Sequence, residues 1–262
     1  MLSSVDQITQ LIPPFALIFC RISGMLATLP ILSYPMISAK IRIMFGLVLT
    51  SLLLPVAGAQ FPEAQSFVEF LILIVKEVFI GLTIGFGARV IFESLNMAGS
   101  FIGRQMGLAM ANVMDPTSRQ QLPVISQFWL LLLMVLLLVT DSHHLLMETL
   151  YRNFELIPLG AGELTAASGR TMISTGTQAF AIALKLAAPA MVFLLLVDAS
   201  IAFTARVMPQ MNIFLVTLPL KIGMGIFIVI FSIDIFQIVF DSVVSELEFY
   251  FGTIIQNMRG IG

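Results

Sequence analysis

The side chains best suited to metal or acid–base chemistry in this sequence are His143 and His144. Adjacent residues do not share a helix face, and we expect no carboxylate at ligand spacing beside the two rings. Cys20 is the only cysteine, which excludes an intrachain disulfide. The GxSxG, HExxH, P-loop and GxGxxG motifs are absent in a supporting context. We therefore predict that the chain is not an enzyme and that it holds no metal and no cofactor.

A different chemistry, reversible apolar sealing, is indicated by the stretch NMAGSFIGRQMGLAMANVMDPTSRQQLP at residues 96–123. Three methionines recur in it at intervals of four, so a helix would align them in one stripe. Methionine is unbranched and polarizable, and it can deform around varied surfaces and close again. A polar, proline-broken turn follows the stripe, which favours a gate over a core helix, although ordinary core packing is the alternative. The predicted gate, or plug, comprises Met106, Met110, Met114, Asp115, Pro116 and Arg119.

The same stretch opens with two tandem small-residue repeats formed by Gly99, Gly103 and Gly107. On a helix these glycines share one face, where another backbone can approach closely. The repeat is also compatible with a flexible or broken helix, because each glycine costs about 1 kcal/mol relative to alanine. We predict helix packing at all three positions.

Charged residues interrupt several of the apolar blocks. A charge at the centre of a membrane span costs about 2.5–3.5 kcal/mol on insertion scales, so such residues normally face protein or water. Snorkelling and pairing between helices are the alternatives for any single position. The residues are Arg21, Lys76, Glu77, Lys185, Asp198, Lys221 and Asp234.

The stretch from Arg206 to Lys221 contains the break between the last two apolar blocks. Pro209 breaks the helix there, and the polar side chains around it can bond the freed backbone groups. We interpret the segment as the cap of an antiparallel helical hairpin.

Composition requires that these residues be held by helices in a membrane. Hydrophobic residues make up 58% of the 262 residues and charged residues 11%, and the mean hydropathy is +1.02. Soluble domains carry about 25% charged residues, so this chain lacks the polar surface of a water-soluble globule. The apolar residues stand in long blocks, which predicts an all-α membrane protein built as a bundle of long hydrophobic helices and helical hairpins. The formal charge of −2 and the absence of a basic run argue against nucleic-acid binding.

Six apolar blocks predict six spans. The bias of positive charges in the connections would place both termini outside, and the N-terminus lacks the basic region of a cleaved leader. The blocks run over residues 11–32, 43–59, 67–92, 124–140, 176–205 and 213–240.

Several stretches of the chain resemble the type III secretion export-gate family. They are the first block with Arg21, KEVFIGLTIGF from Lys76, IGRQMGLAMANVMDP from Ile102, the turn at Pro158, and RVMPQMNIF from Arg206 with the following PLKIG. The DPTSRQQLP stretch is closer to the flagellar branch than to the virulence-injectisome branch. The resemblance implies a subunit of the flagellar export gate, in the bacterial inner membrane at the flagellar basal body.

The resemblance also implies a hetero-oligomeric assembly with FliP-like, FliQ-like and FlhB-like subunits, through which unfolded flagellar proteins pass. It implies a FliP-like part at residues 1–175, containing the gate, and a FliQ-like C-terminal hairpin and tail at residues 176–262. In such an assembly, helices that look transmembrane pack against other subunits. On that basis we expect Lys76, Glu77, Arg206 and Lys221 to fix subunit contacts.

Two other functions fit parts of the sequence. A secondary transporter of a small solute would use Lys185, Asp198 and Asp234, but it predicts an internal repeat that the sequence does not show. A purely structural scaffold would share the partners of an export gate but would have no pore-facing residues. An injectisome export gate is the closest variant of the favoured function.

Overall fold

A computed structural model describes residues 4–29, 38–57, 66–108, 124–208, 210 and 213–259. Within these ranges the chain forms eight α-helices and no strand, so the predicted all-α membrane fold is confirmed. The helices are α1 (Ser4–Thr28), α2 (Ala39–Ala57), α3 (Phe67–Gln105), α4 (Val124–Val139), α5 (His143–Leu156), α6 (Ala166–Val207), α7 (Ile213–Phe231) and α8 (Ile233–Met258).

Several hydroxyl side chains within the apolar helices are satisfied locally. Thr50 donates to the Gly46 carbonyl at 2.7 Å, and Thr83 donates to the Phe79 carbonyl at 2.8 Å. Bonding back to the carbonyl four residues earlier removes the need for water or for a partner helix. These polar residues therefore fit into long apolar helices without needing water as a hydrogen-bond partner.

The chain divides into two compact units, each assembled from separate stretches of sequence. The first comprises Met1–Val90, Thr140–Gly176 and Glu246–Gly262, and the second comprises Ile91–Val139 and Thr177–Ser245. The two-part division predicted at residues 175 and 176 concerns resemblance to other subunits, and it stays a prediction.

In the first unit, α1 crosses the first part of α3 at three glycines. A Cβ added at Gly24 would lie 2.8 Å from the Val78 carbonyl oxygen, and one added at Gly81 would collide with the Arg21 carbonyl oxygen. A Cβ at Gly85 would meet the Thr28 hydroxyl. The two backbones come this close only because these positions have no side chain.

Tyr250 of α8 fills a space beside α3 in the same unit. Its hydroxyl donates to the Thr83 carbonyl at 2.5 Å, and a Cβ at Gly87 would overlap its ring. The end of α8 is joined to the chain before α6 by the Glu163 N–H, which donates to the Met258 carbonyl at 3.0 Å. Nothing in the sequence pattern around Tyr250 marked it as a packing centre.

The core of the second unit contains the single tryptophan. Trp129 of α4 is fully buried, and its ring stacks on Phe236 of α8 with centroids 4.9 Å apart. One turn earlier, the Ser126 hydroxyl donates to the Asn96 carbonyl at 2.9 Å. These contacts join α4 to α3 and α8.

The prediction of six spans is too high for the part of the chain that the structure describes. By length and composition, three helices could cross a membrane: Gln10–Thr28, Ala39–Ala57 and Ala166–Val207. The number rises to five if each of two bent helix pairs is one span. The block at residues 213–240 is not continuous, because α7 and α8 are bent by 58° at Ser232, whose N–H is shared between the Ile228 and Val229 carbonyls. Hydropathy does not detect such a break, since Ser232 is one residue in a long apolar run.

We predict that Gly81→Ala will lower the free energy of unfolding of the detergent-solubilised protein. The added Cβ must push α1 and α3 apart, and overpacking of this kind costs about 1–3 kcal/mol. Equilibrium denaturant unfolding measures the change. Gly176→Ala in α6 is the matched control, because a Cβ there has no neighbour within 4 Å. The control should be neutral or stabilised by up to about 1 kcal/mol. Equal stability of the two variants would contradict the close crossing.

Candidate functional site

The beginning of the predicted gate coincides with the end of α3, where the backbone closes a Schellman motif. Gly107 has a φ of +82°, its N–H donates to the Arg104 carbonyl at 3.0 Å, and the Leu108 N–H donates to the Gly103 carbonyl at 3.1 Å. This pair of bonds around a left-handed glycine is the usual way to satisfy the last carbonyls of a helix. The helix therefore stops at a defined point, immediately before the gate stretch.

Met106 lies at this turn and is buried, with 1% of its surface exposed. It faces Gly225 of α7, where an added Cβ would lie 2.5 Å from the Met106 Cγ and 2.7 Å from its sulfur. The absence of a side chain at Gly225 thus leaves the space that Met106 occupies. Met106 directly follows Gln105, the last residue of α3, so it lies in the turn and not in the helix.

The other predicted gate residues, Met110, Met114, Asp115, Pro116 and Arg119, lie outside the described residues. Their assignment to the gate stays a prediction.

The three glycines of the small-residue repeat have different surroundings. A Cβ at Gly99 would collide with the backbone of Ser126, so α3 and α4 approach closely there. Gly103 is buried within α3. Gly107 forms the helix-ending turn, and a Cβ there would lie 3.1 Å from Leu218 Cδ1. Position 107 requires glycine because its backbone is left-handed, and the repeat in the sequence does not indicate this conformation.

A half-buried carboxylate stands beside the end of α3. Asp198 of α6 accepts a hydrogen bond at its Oδ2 from Gln105 Nε2, at 3.0 Å. Its Oδ1 forms an ion pair with Lys221 Nζ, at 2.7 Å. The side chains of Lys221 and Asp198 are 17% and 35% exposed. One carboxylate therefore connects α3, α6 and α7. From the sequence we had singled out Asp198 and Lys221 but had missed Gln105, since an amide in a polar stretch gives no distinct signal.

A second charged cluster, in the first unit, surrounds a fully buried ion pair. Arg21 Nε of α1 pairs with Glu77 Oε2 of α3, and both side chains are 0% exposed. The Arg21 guanidinium also donates to the Ile157 carbonyl at 2.8 Å and lies over the Phe154 ring, 4.8 Å from its centroid. The second Glu77 oxygen accepts from the Gly160 N–H at 2.7 Å. Every charged group of the pair thus has hydrogen-bonding partners inside the unit.

Lys76 adds a weaker contact to the same turn. Its Nζ lies 3.4 Å from the carbonyl oxygen of Gly160, a glycine held at a φ of +75°. The turn that begins at Pro158 is therefore bound from both Lys76 and Glu77. Arg206, by contrast, is exposed near the end of α6. The role of these residues and of Lys221 in subunit contacts stays a prediction.

The expectation that no carboxylate accompanies the two histidines is wrong. Asp141 adopts a φ of +56° in the turn before α5, and one ligand atom from each of Asp141, His143 and His144 lies within 4.8 Å of the others. The turn conformation, which spacing on a helix cannot reveal, brings the carboxylate near. His144 and Asp141 are 72% and 76% exposed, which is typical of a solvated turn.

The residues proposed for a solute transporter do not form one site among the described contacts. Lys185 and Asp234 are exposed, and the polar contacts of Asp198 are with Gln105 and Lys221. The structure offers no support for the transporter alternative.

The profile of the bacterial export proteins, family 1, matches residues 12–247 of this chain. The chain belongs to this family. A protein named flagellar biosynthetic protein FliR from Bacillus subtilis (strain 168) is 30% identical over 244 residues, covering 92% of this chain and 94% of the relative. Proteins of the same name from Escherichia coli (strain K12) and Aquifex aeolicus (strain VF5) are 28% and 24% identical, covering 79% and 92% of this chain and 78% and 93% of their own lengths.

The matches confirm the membership of the export-gate family that the motifs predicted, and with it the prediction of a flagellar type III export-gate subunit. The matched region of this family member includes both charged clusters and the end of α3. Arg21, the Lys76 stretch and the Pro158 turn meet in the first unit. In the second unit, Gln105 of the Ile102 stretch and Lys221 of the Pro219 stretch both contact Asp198. The motifs therefore include residues that make tertiary contacts in this chain.

We predict that Glu77→Gln or Arg21→Met will each destabilise the protein by about 3–5 kcal/mol, because either change leaves a buried charge without its partner. Chemical unfolding in detergent measures the loss. The double variant should lose less than the sum of the two single losses. Glu148→Ala, which breaks the exposed Glu148–Arg152 pair of α5, is the control and should change stability little. Additive losses at Arg21 and Glu77 would show that the pair is not coupled.

Proposed function

We propose that this chain forms, together with FliP-like, FliQ-like and FlhB-like subunits, the channel through which unfolded flagellar proteins cross the bacterial inner membrane at the flagellar basal body. In this assembly the segment from Met106 to Arg119 is the gate. The observation that carries the proposal is the end of α3, where a defined helix stop and a buried methionine begin the gate stretch.

The geometry at Met106 supports a seal that can open. Its side chain packs at the Gly225 space, and among the described residues it has no ion pair or strong hydrogen bond that must break when it leaves. A flexible thioether can close against ions and then yield to chains of varied shape. The Schellman turn fixes the backbone as far as Leu108 and so gives Met106 a defined position.

The exposed apolar surface supports an assembly of several subunits. Large apolar side chains project outward along α6, including Val192, Leu196, Phe203 and Val207. Lipid tails or the helices of partner subunits must cover such a surface, because water would not. A membrane channel assembled from several chains provides both kinds of cover.

We predict that a strain from which this chain has been deleted (the null strain) will not secrete hook and filament proteins into the medium. Restoring the chain should recover secretion. Immunoblotting of culture supernatants and cell pellets measures the effect, with intracellular levels of the same proteins as the control for expression. Normal secretion without the chain would overturn the proposed function.

We further predict that Met106→Ala will raise ion leak through the closed channel roughly tenfold or more, because truncating a buried methionine removes about 2–5 kcal/mol of packing. Gly225→Val should have the same effect by expelling Met106 from its space. Conductance of the purified complex in planar bilayers measures the leak. Gly223→Val on the same helix is the matched control, since a Cβ there has no neighbour within 4 Å. Unchanged conductance in both Met106→Ala and Gly225→Val would remove Met106 from the gate.

A further inference from the structure

The carboxylate of Asp198 divides its two oxygens between a charged and a neutral partner. Oδ1 lies 2.7 Å from Lys221 Nζ of α7, and Oδ2 lies 3.0 Å from Gln105 Nε2 of α3. The ion pair neutralises the charge within the apolar sequence of α6, where an unpaired aspartate would be costly. The hydrogen bond to Gln105 is not needed to neutralise the charge, so it contributes something else.

Gln105 is the last residue of α3 and directly precedes Met106. A bond at this side chain therefore acts on the turn of Gly103–Leu108, in which Met106 occupies the Gly225 space. Lys221 and Gly225 are four residues apart on α7 and thus share one helix face. That single face holds Asp198 through Lys221 and accommodates Met106 at Gly225.

The bond has the strength to determine where the turn sits. A hydrogen bond to an ionised carboxylate is shorter and roughly twice as strong as one between neutral groups. The pair is half-buried, with Asp198 35% and Lys221 17% exposed, so water competes with it only in part. The packing of Met106 against Gly225 is apolar and gives position without direction.

We infer that Asp198 is a positioning residue of the gate: held by Lys221, it binds Gln105 and thereby seats the end of α3 so that Met106 enters the Gly225 space. Neither Asp198 nor Gln105 needs to touch the exported chain. The inference rests on the proposed function, because the consequence of a displaced α3 end is a leaking channel. It assigns to Asp198 a role in closure that is separate from the stability of the α6–α7 contact.

Gln105→Ala tests the inference most directly, because it cuts the link to α3 and leaves the Asp198–Lys221 ion pair intact. We expect a roughly tenfold or greater rise in closed-channel conductance, the change that corresponds to loss of one charge-assisted hydrogen bond. The amount of assembled complex recovered from membranes should be unchanged. Gln178→Ala, the same substitution at an exposed position of α6, is the matched control and should leave the conductance unchanged.

An exchange of roles gives a second, independent test. Gln105→Glu places two carboxylates against each other, so it should leak at least as much as Gln105→Ala. Adding Asp198→Asn to Gln105→Glu restores an amide-to-carboxylate bond in the opposite direction, with the original net charge. The double variant should leak less than Gln105→Glu alone. A recovery of the conductance at an unchanged amount of assembled complex separates positioning of the turn from a general effect on stability.

The inference is overturned if Gln105→Ala is as tight as the unmodified channel while Met106→Ala leaks. It is also overturned if the leak of Gln105→Ala only follows a loss of assembled complex, or if the role exchange restores nothing. These results leave the proposed function intact. Normal secretion by the null strain would instead remove the proposed function, and the inference with it.

Discussion

The first unit depends on keeping two opposite charges buried in apolar helices. Arg21 of α1 and Glu77 of α3 lie 56 residues apart in the sequence and are completely shielded from solvent. Burying either charge alone would cost several kcal/mol, so the fold must deliver both together with the further hydrogen-bonding groups that each requires. The Ile157 carbonyl and the Gly160 N–H provide those groups. The ion pair and its partners consequently join α1, α3 and the turn after α5.

The second unit also contains an ion pair between helices, but this pair is only partly buried. Its Asp198–Lys221 pair remains partly accessible, and one oxygen of the carboxylate binds a neutral amide. A fully buried pair fixes a contact almost permanently, whereas a half-buried pair can exchange partners with water at lower cost. The more exposed arrangement stands beside the end of α3, where the proposed gate begins.

The class of fold could be predicted from composition, because long apolar blocks with so few charges leave helices in a membrane as the consistent solution. The positions of the important charges were also visible in the sequence. Their partners were not: Arg21 with Glu77 and Asp198 with Gln105 are pairings between distant segments, and spacing along one chain does not report them. Gly107 illustrates another limit. A small-residue repeat and a helix stop both use glycine, and only the backbone φ of +82° distinguishes them.

The length of α6 has a consequence for the surroundings of the protein. Its 42 residues correspond to a contour of about 63 Å at 1.5 Å per residue. The hydrocarbon layer of a bilayer is only about 30 Å thick, so roughly half of this helix must lie beyond the lipid tails unless it runs steeply oblique to the membrane normal. Apolar side chains continue along the helix to Phe203 and Val207. The exposed apolar side chains on the part outside the lipid must therefore pack against other protein.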